Sequence, residues 1–257
     1  MKINHILKFS KINRFMIDSL VHSQIYFAPP EKLNDPFDCQ VGHVGIIKAI
    51  KAAIAKLSGS ARQTLQDFLQ NDELQQMIKS DLEDIKNAGV FCATHKPSLL
   101  CPLMWSHYAD AHRGVCLVYA IPESFINLDT NNTMGISCVE YGYNPLTDWF
   151  VLLPSKDDEY QRHAYSEMIK KVLTVKSTCW KYEDEVRIIR KIAGAVSIDR
   201  SYLQHICFGI NTSKDDRSLI SQIIKHFNYD VKYSEMQRSQ NDFGLTESVF
   251  SLHAVDI

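Results

Sequence analysis

The chain has 257 residues, 45% hydrophobic and 23% charged, with a formal net charge of -2. This length and balance allow one large globular domain or two small ones with a substantial core. They exclude a global basic field that would hold nucleic acid through its phosphates, and no apolar run approaches the ~20 residues of a membrane-spanning helix.

The N-terminal MKINHILKFSKINRF lacks an apolar core and a small-residue cleavage site, so it is not read as a signal peptide. Within it, HILKF has the character of a short strand. SKINRFMIDSLVHS follows with helical spacing at Ile12, Phe15, Met16 and Leu20, and Ser10 is its candidate N-cap. QIYFAPP is a second strand, closed by two prolines that cannot continue a ladder. In the next segment, EKLNDPFDC, Asn34-Asp35-Pro36 is turn chemistry, because the residue before a proline avoids the helical region. Residues 46–87 change in composition and carry apolar positions such as Leu65, Phe68, Leu69 and Ile78 at helical spacing. We expect two or three helices there, inserted as a cap with a solvated charged face.

Strand character returns in GVFCATH. A short helix is expected in LLCPLMWSHYADAHRG, ending at Gly114. VCLVYAI and ISCVEYGY read as strands, residues 157–173 as a helix, 174–179 as the lead-in to the motif CWKYEDEVRII, and EVRIIRK as a strand. AVSI, YLQHICFGI, a helix over DDRSLISQIIKHF and a last strand, DVKYSEM, complete the pattern. It predicts one α+β domain over residues 1–257, with a central mixed or antiparallel sheet and the helical insertion at 46–87.

Four groups of residues could carry chemistry. Cys92, His95, Cys101, His107 and His112 are zinc-ligand types, but their spacing matches no zinc pattern, and metal binding is not expected. The seven cysteines, odd in number and without framework spacing, read as free thiols of a reducing cytoplasm. They do not single out a Cys–His pair, and no nucleophile elbow, phosphate loop or dinucleotide fingerprint is present. In MWSHYADAHRG, Trp105, His107 and Tyr108 read as a packed aromatic corner or, alternatively, as part of a ligand site. NDPFD reads as an Asx turn or as a loop closing over a ligand with Phe37 as a stacking wall. In CWKYEDEVRII, strand spacing would place Glu183, Glu185 and Arg187 on one face. That face is either a rim ion pair or a carboxylate site beside developing positive charge, with Arg187 holding one acid and Glu185 favoured as the free one.

Together, ILKF, IYFAPPEKLNDPFDC, MWSHYADAHRGVCLVY and CWKYEDEVRII resemble an uncharacterised bacterial family of unknown function. Its pattern runs L-x-K-[YF], F-N-D-P-F-D, M-W-[SG]-H-Y and W-x-Y-E-x-E-x-R. A more distant resemblance is to the ADP-ribosyltransferase fold, which begins with a strand, a helix and a strand and ends with a strand led by a glutamate. This resemblance implies NAD as co-substrate, with Lys8 on its ribose or phosphates and Tyr26 or Phe27 at the nicotinamide wall. Glu185, or else Glu183, would bond the ribose 2′-hydroxyl. Here Lys8 replaces the family's His or Arg, and no Ser-Thr-Ser strand is present.

The expected site is therefore Glu185, Glu183 and His107 as catalytic groups. Lys8, Tyr26, Phe27, Asn34, Asp35, Phe37, Trp105, Tyr108 and Arg187 would form the dinucleotide pocket. The corresponding function is an NAD-consuming ADP-ribosyltransferase-like enzyme acting as a bacterial toxin or anti-phage effector. Two alternatives stand beside it. One is a nuclease holding Mg²⁺ through Asp35, Asp38, Glu183 and Glu185. The other is a non-enzymatic sensor or interaction module that engages its partner through residues 46–87. The acids should face Lys8 and His107 if either enzymatic reading holds.

Overall fold

A computed structural model describes residues 3–39, 42–127, 133–155 and 164–250. Its first strand, β1 (Ile3–Ser10), is followed by helix α1 (Arg14–His22) and β2 (Gln24–Phe27). Asn13, not Ser10, caps α1, because its side chain accepts from the Met16 amide and satisfies an otherwise unpaired helix-end donor. The predicted insertion comprises three helices, α2 (His43–Lys56), α3 (Gly59–Gln70) and α4 (Asp72–Ile85).

The chain then forms β3 (Gly89–Thr94), α5 (Pro102–Tyr108) and β4 (Val115–Pro122). Two short helices, α6 (Glu123–Asn127) and α7 (Pro145–Leu152), flank β5 (Thr133–Cys138) and β6 (Glu140–Gly142). ISCVEYGY is therefore two strands in different sheets rather than one. Helix α8 (Ala164–Thr174) occupies the later part of the helix expected at 157–173, and residues 157–163 lie outside the described ones. There follow β7 (Val175–Ser177), β8 (Glu185–Arg190), β9 (Gly194–Ser197) and β10 (Leu203–Phe208). Helix α9 (Lys214–His226) and β11 (Lys232–Arg238) come next, and DVKYSEM is not the last strand, because β12 (Leu245–Phe250) pairs beyond it.

Eight strands form one mixed sheet in the order β12-β11-β10-β4-β1-β3-β8-β5. All described pairings in it are antiparallel except β10 with β11, so the fold is α+β with a largely antiparallel centre. β8 is an inner strand between β3 and β5, and every residue from Glu185 to Ile189 is buried. Period-two alternation divides them. Val186 and Ile188 join a core with α1, α9 and β4, whereas Ile189 joins a second core with α2–α4, α7 and α8. Glu185 and Arg187, on the Ile189 side, are thereby carried into a region with almost no water.

Candidate functional site

The opening half of CWKYEDEVRII is not extended. Residues Thr178–Glu183 form a 3₁₀ turn, started by Ser177, whose hydroxyl accepts from the Cys179 amide. Asp184 closes it in the left-handed region at φ 44, a conformation its short polar side chain tolerates. Only Glu185 opens a strand. Glu183 reaches the same region by a different route: its carbonyl accepts the Thr94 hydroxyl, which fixes the turn against the end of β3.

Three carboxylates and two cations meet there, all buried. Arg187, fully buried, donates from Nε and Nη2 to the two oxygens of Glu185 at 2.8 and 2.9 Å. Its Nη1 and Nη2 also bond the two oxygens of Asp38 at 2.9 and 2.6 Å, and Nη1 bonds the Leu173 carbonyl at 2.7 Å. The Lys176 ammonium lies 2.6 Å from Glu183 Oε2, 3.2 Å from Glu185 Oε2 and 3.4 Å from Asp38 Oδ2. The Tyr108 hydroxyl donates to the second oxygen of Glu183 and accepts from Asn34 Nδ2 at 2.9 Å.

These surroundings separate the two glutamates. Burial raises the Glu183 carboxyl above its ordinary range, and Lys176 and Tyr108 offset this only in part. Burial acts on Glu185 too, but the charges of Arg187 and Lys176 outweigh it and hold that carboxyl down to about 2. The acid held by Arg187 is thus Glu185 rather than Glu183, which reverses the expected assignment. Two environments that push paired carboxyls apart are the usual source of distinct chemical roles. The neighbouring thiols stay protonated: burial pushes Cys92 up to about 12 and Cys39 well above its ordinary value.

A cleft of about 690 Å³ ends on this cluster. Lys8, Tyr26, Asn34, Tyr108, Glu183 and Glu185 all line it, as does Lys176. Its walls are largely apolar, including Phe91, Leu117 and Tyr119 from the sheet and Phe15 and Met16 from α1. Lys8 Nζ donates to the Cys92 carbonyl at 2.7 Å and lies 5.2 Å from the centre of the Phe91 ring.

The remaining expected site residues fall elsewhere. Phe27 is fully buried against Phe91 and forms core rather than wall, because the β2 face that carries it packs inward. Trp105 is also fully buried, with Nε1 donating to the Leu99 carbonyl and its ring edge-on to Phe9. Asp35 forms the Asx turn, accepting from the Phe37 amide, and that turn directs Phe37 outward, 85% exposed and off the cleft. His107 is exposed on α5 beside Tyr108 and Tyr182 and does not line the cleft, so the acids face Lys8 but not His107. Every guanidinium nitrogen of Arg187 is bonded to protein, so it is not placed to hold a ligand. Sequence reasoning passed over Lys176. Its signal is a single lysine after the apolar VLTV run, directly ahead of the acidic motif.

Of the zinc-type residues, His112 contacts Ser106 and His95 contacts Asp184. Among the described residues no group of three or more His, Cys, Asp or Glu could hold a metal ion. No described helix is long and apolar enough to cross a membrane.

The chain was compared with protein families, curated proteins and solved structures. No curated protein and no solved structure matches it. A family model described as a protein of unknown function (DUF2971) matches residues 104–188. The matched region runs from α5 to β8 and holds Tyr108, Lys176, Glu183, Glu185 and Arg187, while Lys8, Asn34 and Asp38 lie before it. Over residues 104–188 the chain is similar to this family of proteins of unknown function.

Proposed function

We propose that the cleft binds NAD and that Glu183, at its base, assists cleavage between nicotinamide and ribose, as in an ADP-ribosyltransferase-like enzyme or NAD glycohydrolase. The observation that carries this reading is the convergence of Glu183, Tyr108, Asn34, Lys8 and Tyr26 on one largely apolar cleft of dinucleotide size, about 690 Å³. The buried cluster holds three carboxylates against two cations. Its surplus negative charge lies where a reacting ribose would develop positive charge, and a fixed anion in a site poor in water is most effective there. Lys8 would meet the ribose or phosphates, and the half-exposed Tyr26 would stack on the nicotinamide. The bacterial toxin or anti-phage setting is the one implied by the resemblance of the motifs.

The nuclease reading requires Asp35, Asp38, Glu183 and Glu185 to turn toward a shared metal. Asp35 is instead committed to its own turn, and Asp38 and Glu185 to Arg187. Purified protein incubated with NAD should release nicotinamide, measured chromatographically. Glu183→Gln should lower the rate at least ~100-fold, as removal of a single electrostatic stabiliser does. Failure of a non-hydrolysable NAD analogue to bind at millimolar concentration would overturn the proposal. Chelator-sensitive cleavage of nucleic acid would establish the nuclease reading instead.

A further inference from the structure

We infer that Lys176 is a positioning residue of this site: it keeps Glu183 ionised and holds its carboxylate beside Tyr108 at the base of the cleft. The inference rests on the reading of Glu183 as the carboxylate that meets the substrate.

Counting donors leads to it. A guanidinium has five N–H donors and an ammonium three. Arg187 directs its donors to both oxygens of Asp38, both oxygens of Glu185 and the Leu173 carbonyl, with Cys39 Sγ also against Nη1 at 3.2 Å. Nothing remains for Glu183. The three protons of Lys176 face Glu183 at 2.6 Å, Glu185 at 3.2 Å and Asp38 at 3.4 Å, so its shortest contact is with the acid that Arg187 does not touch. Among the described residues, Lys176 is the only cation paired with Glu183. Both side chains are within a few per cent of complete burial, where water screens little.

The other groups facing Glu183 do not replace the lysine. Tyr108, from α5, donates a neutral hydrogen bond. Tyr182, from the same turn, and Tyr141, from β6, are neutral neighbours whose ionisation the Glu183 charge opposes. Glu185, from β8, repels Glu183 and raises its carboxyl further. Asp38 brings another negative charge to the shared ammonium. The Trp180 ring lies 5.0 Å from Lys176 Nζ and covers the cation. Without Lys176 the remaining cation, Arg187, would still bond only Asp38 and Glu185, and Glu183, left uncompensated, would take up a proton. A protonated Glu183 cannot oppose positive charge on a substrate.

The test follows the Glu183 carboxyl carbon by NMR in ¹³C-glutamate-labelled protein, assigned with Glu183→Gln, and follows nicotinamide release against pH. In Lys176→Met the Glu183 midpoint should rise by about one pH unit or more, with the acid limb of kcat/KM moving in step. Above that limb the rate should return to within about tenfold of the wild type. Lys181→Met, which removes an exposed cation of the same turn, should leave both curves in place. A folded Lys176→Met protein with an unmoved Glu183 midpoint would overturn the inference, as would a rate lowered equally at every pH. If Lys176→Met does not fold, the wild type decides the matter. The ¹⁵N resonance of the Lys176 ammonium must step at the pH where Glu183 titrates, and absence of that step overturns the inference. If the midpoint moves but the wild type neither binds nor cleaves NAD, the NAD reading falls and the charge-setting role of Lys176 stands.

Discussion

Replacing Arg187 with methionine tests the buried cluster most directly. The substitution keeps much of the volume and the apolar stem but deletes every donor. Glu185 loses bonds of 2.8 and 2.9 Å and Asp38 loses bonds of 2.9 and 2.6 Å. The Leu173 carbonyl loses one of 2.7 Å. Lys176 alone then faces three carboxylates. Breaking a buried pair from one side costs about 3–5 kcal/mol, because the abandoned charge stays desolvated.

An independent route gives a similar size for Glu185 alone. A carboxyl depressed from 4.5 to about 2 stabilises the fold by about 3 kcal/mol at neutral pH. Its folded value lies below its unfolded one, so this stability is present above about pH 4.5 and is lost as pH falls toward about 2. The assay is urea unfolding followed by circular dichroism at pH 7 and again at pH 4. Arg187→Met should shift the midpoint at constant m-value by the equivalent of about 3–5 kcal/mol at pH 7, and by less at pH 4. Arg187→Met combined with Glu185→Gln should recover part of the loss, because it removes one stranded charge. A single-variant loss under about 1 kcal/mol, or one that does not depend on pH, would refute the reasoning and mark the cluster as water-screened.

The two glutamates should respond with opposite signs. Glu185→Gln should cost about 2–3 kcal/mol at pH 7, whereas Glu183→Gln should be neutral or stabilising by up to about 1 kcal/mol. The Glu183 carboxyl is raised on folding, so its contribution favours the fold at low pH and fades as pH rises through the raised value; thermal melts across pH 4–8 read both signs. Gly114→Ala should destabilise by about 2–3 kcal/mol in the same urea assay, because an added Cβ would meet the Ser10 carbonyl oxygen at 2.1 Å. Phe37→Ser should leave stability within about 0.5 kcal/mol and leave NAD binding unchanged, since that ring is 85% exposed and off the cleft. A tenfold loss of binding on calorimetric titration would return Phe37 to the site.

Local pattern made much of the architecture legible in the sequence. The β-branched run VCLVYAI became β4, and the apolar spacing of 46–87 became three helices between β2 and β3. The turn at NDPFD also followed from its residues, since an aspartate bonding an amide two positions on needs no distant partner. The expected helix start is misplaced by three residues: Ser10 is the expected cap, and the backbone geometry of the first turn puts Asn13 there instead.

The site was legible as an ingredient and not as an arrangement. Two glutamates beside an arginine announced a charged cluster, but their spacing of two implied a strand where Asp184 makes a left-handed turn. Which acid Arg187 takes depends on Asp38, 149 positions away along the chain, arriving on the same guanidinium. Lys176 and Tyr108 reach Glu183 from different elements, and a lysine in an apolar run or a tyrosine in an aromatic turn carries no sign of such a meeting. Periodicity and turn chemistry act over a few residues, so the sequence alone could declare strands, helices and the acidic motif. The compensation of buried charge is a long-range balance, and only the packing that brings Asp38 and Lys176 against β8 decided which carboxylate Arg187 holds and which is left to Lys176 and Tyr108.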